Sequence, residues 1–185
     1  MIINQIKMGF IILSAEASTA RVKSTYNSII NNLDCSSVIC VVPKKTKKES
    51  IVELEKTCPV FKGKDTFTSL INSGYSNGIE DWNTTLIEGV VARKSIQKLY
   101  SSFCKSDKEI LFSVNFIKDL LGKPIKIFDN FYDCSLNGIM IHKKAFKEIG
   151  LFEEYDSLEK SKLLWAANAI DKGYRFKGIV GCHMS

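Results

Sequence analysis

Apolar runs alternate with amphipathic segments from the beginning of the chain. Residues 8–14 form a continuous apolar run of strand length, which predicts a buried first strand. A helix is predicted next over residues 20–33, with Ser18 or Thr19 as its cap. The apolar positions of this helix recur at helical spacing on one face and are Val22, Tyr26, Ile29, Ile30 and Leu33.

The same alternation continues to the end of the chain. Further strands are predicted at residues 38–42, 59–62, 82–91, 109–114, 125–128, 135–141 and 175–180. Further helical segments are predicted at residues 47–57, from Asp65 to about Gly74, from Ser95 through Phe103, at 116–121, at 143–149 and from Ser157 to Asp171. Strands separated by helices indicate an α/β fold with a mostly parallel sheet.

Parallel α/β sheets bind ligands beyond the carboxyl ends of their strands. The predicted ends lie at residues 14–18, 43–48, 63–65 and 88–93. Candidate binding residues are therefore expected in these four segments.

Length and composition favour a single globular domain with a sizeable core, since the chain has 185 residues. The net charge of +6 is modest, and its densest basic run is Lys44, Lys45, Lys47 and Lys48. This run is interpreted either as a solvated loop and helix start or as a contact to phosphates or an acidic polymer. No aromatic residues are interleaved with these lysines, which disfavours a nucleic-acid surface.

The six cysteines form neither a Cys-x-x-Cys pair nor a zinc-ligand pattern, which favours a reducing, cytoplasmic compartment. Cys40 lies in an apolar run and is predicted to be a buried thiol. The apolar N-terminal run, followed by Ala15 and Ala17, imitates a signal peptide. It is only about six residues long, however, and is interpreted as a strand. No transmembrane segment is predicted, because no stretch approaches the roughly 20 apolar residues needed to span a bilayer.

One stretch of the last third suggests a family. It reads Asn-Gly-Ile-Met-Ile-His-Lys-Lys-Ala-Phe-Lys-Glu-Ile-Gly-Leu-Phe-Glu-Glu over residues 137–154, and Lys-Gly-Tyr-Arg-Phe follows at 172–176. The order of a small-residue strand, a basic residue, a Phe, a Gly, an acidic loop, a helix and Gly-Tyr-Arg resembles the acceptor-side half of family 2 glycosyltransferases. The resemblance implies a GT-A-like fold, with a mostly parallel mixed sheet between helices in a Rossmann-like three-layer sandwich.

The resemblance also implies a division of labour within a single domain. Residues 1–121 would form a half that binds a nucleotide-diphosphate sugar, and residues 122–185 an acceptor-side half that receives a glycan or another hydroxyl acceptor. Donor-binding candidates follow the first and third strands: Ser14, Glu16, Arg21 and Asp65. The structural alternative is that these residues are helix caps and ordinary surface charges.

The family holds its divalent cation with Asp-x-Asp at the end of the fourth strand. The matching stretch here is Glu88-Gly89-Val90, so one carboxylate stands where two are usual. Glu88 is the candidate ligand for Mg²⁺ or Mn²⁺, and His183 after the last strand is a second one by resemblance. The alternatives are a surface residue at a strand end for Glu88 and a solvated terminus for His183.

The family's catalytic base lies in a Glu-Asp motif near the start of the next helix. The nearest match here is Glu159-Lys160, with Lys in place of the base. Glu154, Asp156 and Glu159 are therefore the candidates for the general base that deprotonates the acceptor. Acidic residues at a helix N-terminus are also favoured by the helix dipole alone.

Two functional hypotheses follow. The first is a glycosyltransferase that moves a sugar from a nucleotide-diphosphate donor to an acceptor. The second is a GT-A-like domain that has lost catalysis and binds a nucleotide, a glycan or a protein. A nucleotidyltransferase is disfavoured at this point, because neither a P-loop nor a Gly-x-Gly-x-x-Gly sequence is present.

Overall fold

The alternation of strands and helices is present in the computed structural model, which describes residues 7–96, 106–118, 124–128, 131 and 134–179. The strands are β1 (Met8–Leu13), β2 (Ser37–Pro43), β3 (Val60–Gly63), β4 (Trp82–Ile87), β5 (Glu109–Ser113), β6 (Asn115–Lys118), β7 (Pro124–Phe128), β8 (Met140–His142) and β9 (Arg175–Ile179). The helices are α1 (Thr19–Asn32), α2 (Lys48–Glu55), α3 (Phe67–Asn77), α4 (Lys143–Ile149) and α5 (Leu158–Asp171).

A seven-stranded mixed sheet organises the molecule, in the order β3-β2-β1-β4-β8-β5-β9. The pairs β1–β2, β1–β4, β2–β3 and β5–β9 are parallel, whereas β8 is antiparallel to both β4 and β5. Strands β6 and β7 form a separate antiparallel pair. The predicted mostly parallel sheet is therefore confirmed.

Helices cover both faces of this sheet. Successive side chains of a strand point to opposite faces, so β1 supplies Ile11 and Leu13 to one core cluster and Phe10 and Ile12 to the other. The first cluster packs against α3, α4 and α5, and the second packs against α1 and α2. This is the three-layer sandwich expected from the sequence.

Two predicted elements are wrong around the hairpin. A helical turn is predicted over residues 116–121, but residues 115–118 are β6, whose backbone pairs with β7, and residues 119–121 lie outside the described residues. The pairing of two chain segments decides this conformation, and local spacing does not reveal it. The strand predicted at 135–141 is reduced to β8, because Asn137 and Gly138 form a turn in which Gly138 has a φ of 81°.

Three details of the first half also differ from expectation. Ile30 was placed on the inner face of α1 but is exposed. Helix α3 was expected to end near Gly74 but continues to Asn77. Gly74 does not terminate the helix and instead allows close packing, because a Cβ there would lie 2.5 Å from Cγ2 of Ile11. Strand β4 ends at Ile87 rather than at residue 91, because the chain turns at Gly89, where φ is 90°.

Cys40 is fully buried, as predicted. None of the helices in the described ranges is long and apolar enough to cross a membrane. The helix predicted from Ser95 through Phe103 lies outside the described residues beyond residue 96.

Candidate functional site

The carboxyl ends of β1 and β4 lie side by side in the sheet. Leu13 and Ile87 are paired in register, and the backbone N–H of Glu88 donates to the carbonyl of Leu13 at 3.0 Å. Ser14 and Glu88, the residues that follow these strand ends, therefore lie next to each other. This register brings together two predicted site residues that are far apart in the sequence.

The carboxylate of Glu88 holds the loop between β1 and α1 in place through hydrogen bonds. One of its carboxylate oxygens accepts the hydroxyl of Ser14 at 2.6 Å and the N–H of Ser18 at 3.0 Å, and the other accepts the N–H of Glu16 at 2.8 Å. Glu88 is buried, so these donors replace water around the carboxylate. The loop also contains Ala17 at a φ of 52°, a left-handed conformation uncommon for a residue with a side chain.

A polar stripe on α1 holds the segment that follows Glu88. The hydroxyl of Thr25 accepts the N–H of Gly89 at 2.9 Å, and the hydroxyl of Ser28 accepts the N–H of Ala92 at 2.8 Å. The side-chain amide of Asn32 donates to the carbonyl of Ala92 at 3.0 Å. The buried face of α1 is therefore partly polar, because it supplies partners for backbone that has left the sheet.

The remaining donor-side candidates are exposed charged residues. Arg21 and Glu16 form an ion pair at 2.9 Å at the start of α1. Asp65 forms one with Lys45 at 3.2 Å. Thr66, rather than Asp65, caps α3, since its hydroxyl accepts the N–H of Ser69 at 3.2 Å.

The acidic segment before α5 lies near the end of β3. Glu154 is 3.7 Å from Lys64 in an ion pair, which places it at the carboxyl edge of the sheet. Asp156 and Glu159 are exposed, and Ser157 caps α5 by accepting the N–H of Lys160 at 3.1 Å. Of the three predicted bases, only Glu154 has a described partner from a neighbouring strand end.

A cavity of about 530 Å³ borders this segment and is called the basic groove below. Three of its lining residues are lysines: Lys44, Lys62 and Lys64. The others are Gly63, Ser69, Asn72, Ser73, Ser76, Leu151 and Glu154. The sequence indicates Lys44 through its basic run and Lys64 through the strand end at 63–65, but it does not single out Lys62. The pairing of β2 with β3 brings the ends of both strands together and so places the three lysines at one edge.

The predicted metal site is not assembled by the described residues. None of the His, Cys, Asp and Glu residues in the described ranges form a group of three that could hold an ion. Both oxygens of Glu88 already accept protein donors. His183 lies outside the described residues. The described ligands therefore do not fit a protein-held cation, and a cation role for Glu88 remains a prediction.

Three aromatic side chains large enough to stack on a sugar or base belong to the core. Trp165 stacks on Phe152 with 4.3 Å between ring centroids and donates its indole N–H to the carbonyl of Gly150. Trp82 and Tyr174 are also buried. Buried rings such as these are not presented to a ligand in this conformation.

Comparison with known proteins defines the class of fold. No family model matches the chain, and no curated protein matches its sequence. Its structure is similar to TarS of S. aureus, with a TM-score of 0.60 and 13% identity over 96% of this chain. The match spans only 36% of TarS.

Two further solved structures are matched over most of their own length. One is 4-diphosphocytidyl-2C-methyl-D-erythritol synthase from Anaerococcus prevotii, with a TM-score of 0.59, 13% identity, and coverage of 94% of this chain and 87% of that one. The other is CMP:2-keto-3-deoxy-manno-octonic acid synthetase in complex with CTP, with a TM-score of 0.59, 7% identity, and coverage of 96% and 91%. The chain therefore has the GT-A-like fold shared with nucleotidyltransferases, and at these identities the likeness concerns the fold alone.

Proposed function

We propose that this chain is a glycosyltransferase domain that binds a nucleotide-diphosphate sugar at the carboxyl ends of β1 and β4. The observation that supports this best is the set of three hydrogen bonds by which Glu88 holds the β1–α1 loop. Open α/β sheets bind ligands at this edge, and a loop held in one conformation loses less entropy when a ligand binds.

In this proposal the donor half, residues 1–121, supplies the loop and its charged neighbours. Ser14 fixes the loop through Glu88, while the exposed pair of Glu16 and Arg21 stands at its outer side. Arg21 is suited to a phosphate because its guanidinium offers several fixed donors. Asp65 is the candidate for the sugar or ribose hydroxyls, because its exposed carboxylate keeps acceptor sites beside its ion pair with Lys45.

The acceptor half, residues 122–185, supplies the candidate base. A base must come within hydrogen-bond reach of the acceptor hydroxyl. Glu154 is the first candidate, and its ion pair with Lys64 at the end of β3 supports this choice. Asp156 and Glu159 are exposed in the same segment and remain alternatives.

Two other functions are each favoured by a specific observation. The engagement of Glu88 by three donors, together with Lys160 at the expected base position, favours a binding domain without catalysis. The near-full-length match to a synthase and a synthetase whose names contain diphosphocytidyl or CMP favours a nucleotidyltransferase. This second observation makes the nucleotidyltransferase a candidate again, although the missing glycine-rich loops had disfavoured it.

A ligand screen separates the three functions. Melting temperatures would be measured with UDP-, GDP-, CMP- and dTDP-sugars and with CTP, each with Mn²⁺ or with EDTA, since a ligand of the native state raises the melting temperature. The proposal expects a shift with one nucleotide sugar, followed by sugar transfer or slow hydrolysis of that donor. A shift with CTP and release of pyrophosphate would favour the nucleotidyltransferase, and binding without turnover would favour the inactive domain.

The role of Glu88 needs its own comparison. Glu88→Gln removes the carboxylate that orders the loop, and Glu49→Gln removes an exposed carboxylate on α2 as the matched control. If Glu88 acts through the loop, donor affinity should fall equally with Mn²⁺ and with EDTA. A loss confined to the Mn²⁺ samples would instead identify Glu88 as the cation ligand.

A further inference from the structure

The basic groove has an excess of positive charge. Lys44 and Lys62 form no ion pair with the carboxylates of the described residues, and Lys64 lies 3.7 Å from Glu154. The adjacent Lys45 is compensated separately by Asp65. The cavity is therefore lined by three lysines and one carboxylate, and this excess of positive charge creates a local positive potential.

Hydrogen bonds hold the walls of this groove in place. The hydroxyl of Ser73 donates to the carbonyl of Lys62 at 3.0 Å, and the N–H of Lys64 donates to the hydroxyl of Ser69 at 2.7 Å. These bonds connect β3 to α3 on one side. Asn72 connects α3 to Phe152 on the other side with two hydrogen bonds of 2.8 Å.

The groove also offers a neutral donor that the protein does not use. Ser76 is exposed on α3 and lines the cavity, and its hydroxyl makes no hydrogen bond within the described residues. A ligand in the groove would thus meet flexible cationic donors and a hydroxyl donor on a fixed helix. Such a combination complements an oxyanion with several acceptor oxygens.

We propose that the basic groove binds the phosphate group of a phosphorylated ligand. A phosphate monoester carries nearly two negative charges near neutral pH, which matches the excess left by Lys44, Lys62 and Lys64. The volume of about 530 Å³ accommodates a small phosphorylated molecule. The phosphate can belong to a sugar phosphate or to a nucleotide, and the titrations below distinguish the two. The proposal concerns binding and does not depend on the transfer reaction proposed above.

The test compares two double variants with the same change in charge. Lys44→Gln/Lys62→Gln removes the two lysines without ion pairs, and Lys7→Gln/Lys94→Gln removes two exposed lysines outside the groove. Each variant lowers the formal net charge from +6 to +4, because two lysines are lost. All substituted positions are exposed, so both variants should retain the parental melting temperature.

Binding would be followed by backbone amide NMR and calorimetry with inorganic phosphate, glucose 6-phosphate, UMP, CMP and unphosphorylated glucose. The expected result is that phosphate-bearing probes shift the amides of Ser69, Ser73 and Ser76, while glucose does not. Affinity should fall about tenfold in the groove variant and weaken with salt, and the control variant should bind like the parent.

The set of probes identifies the source of the phosphate. Tighter binding of glucose 6-phosphate than of UMP or CMP assigns the groove to a sugar phosphate, and the reverse order assigns it to a nucleotide. The absence of amide shifts with every phosphate-bearing probe would overturn the proposal. Equal losses of affinity in the two double variants would overturn it too, because the effect would then come from net charge.

Discussion

Asn72 and Phe152 are joined by two reciprocal hydrogen bonds across 80 positions of sequence. The side-chain amide of Asn72 donates to the carbonyl of Phe152, its oxygen accepts the N–H of Phe152, and both distances are 2.8 Å. Asn72 thus pairs with a backbone as a neighbouring strand would. The consequence is that the segment carrying Glu154 has a fixed position on α3.

Replacement of Asn72 by alanine should destabilise the protein by about 1–3 kcal/mol, because the N–H and C=O of the buried Phe152 lose their partners. The free energy of unfolding would be measured by urea denaturation. Asn31→Ala, at an exposed position of α1, provides the control. Asn72→Asp keeps the acceptor but sets a carboxylate oxygen against the carbonyl of Phe152, so it should also be less stable than the parent. Equal stability of Asn72→Ala and the control would contradict this account.

Removal of the Glu88 carboxylate should loosen the β1–α1 loop. Glu88→Ala leaves the N–H groups of Glu16 and Ser18 without their acceptor, at a cost of about 1–3 kcal/mol. Hydrogen exchange at these two amides should accelerate by more than the change in global stability explains. Uniform acceleration across the whole sheet would show instead that Glu88 supports the fold and has no special role in the loop.

Gly74→Ala tests why α3 contains a glycine. Alanine favours helix by about 1 kcal/mol, so a stabilised protein would result if the helix alone mattered. The new Cβ, however, would lie 2.5 Å from Cγ2 of Ile11, which is fully buried in the interior strand β1. We therefore expect a net loss of about 1–3 kcal/mol in thermal or urea unfolding. Ser76→Ala, two residues further along α3 and exposed, should be nearly neutral.

Glu148 should contribute to the acid sensitivity of the fold. Hydrogen bonds from Lys108 and from the hydroxyl of Tyr174 lower the pKa of Glu148 from 4.5 to about 2. A lowered pKa in the folded state gives stability that is present above the unfolded pKa and is lost as pH falls through the folded one. The contribution of Glu148 is thus complete above about pH 4.5 and disappears towards pH 2.

The corresponding measurement is the melting temperature from pH 6 to pH 2. Glu148→Gln should melt lower than the parent near pH 6, and this difference should shrink as the pH falls. Glu55→Gln is a suitable control, because Glu55 is exposed and makes no hydrogen bond in the described part of the chain. Part of the acid sensitivity will remain in both variants, since bonds from Lys56 and Lys23 lower the pKa of Glu53 in the same direction. A constant difference across the range would exclude the pKa of Glu148 as its cause.

Much of the fold could be predicted because its strongest signals are local. Helix α5 begins after its cap Ser157 and ends at Asp171, as the sequence indicated. Strand β1 is a continuous apolar run and was placed within one residue of its observed end. The hairpin of β6 and β7 could not be found this way, because it depends on hydrogen bonds between two segments.

The position of the candidate site could be predicted from the sequence, but the direction of the Glu88 side chain could not. The sequence placed Ser14 and Glu88 at strand ends, and the register of Leu13 with Ile87 brings these ends together. A carboxylate at a strand end has the same sequence pattern whether it points to a ligand or into its own protein. The direction of Glu88 is decided by N–H groups of the neighbouring loop, which no spacing rule reports.

The position of β5 has a consequence for how the chain acquires its structure during synthesis. The first 87 residues contain β1 to β4, which pair among themselves in order β3-β2-β1-β4. Within the described residues β5 pairs with β8 and β9, and both are made later. When Glu109–Ser113 leaves the ribosome, the backbone groups on both of its edges are therefore still unpaired, and they remain so until residues 140–179 have been made. Folding of this part depends on non-local pairing, and the apolar strand β5 stays open to aggregation in that interval.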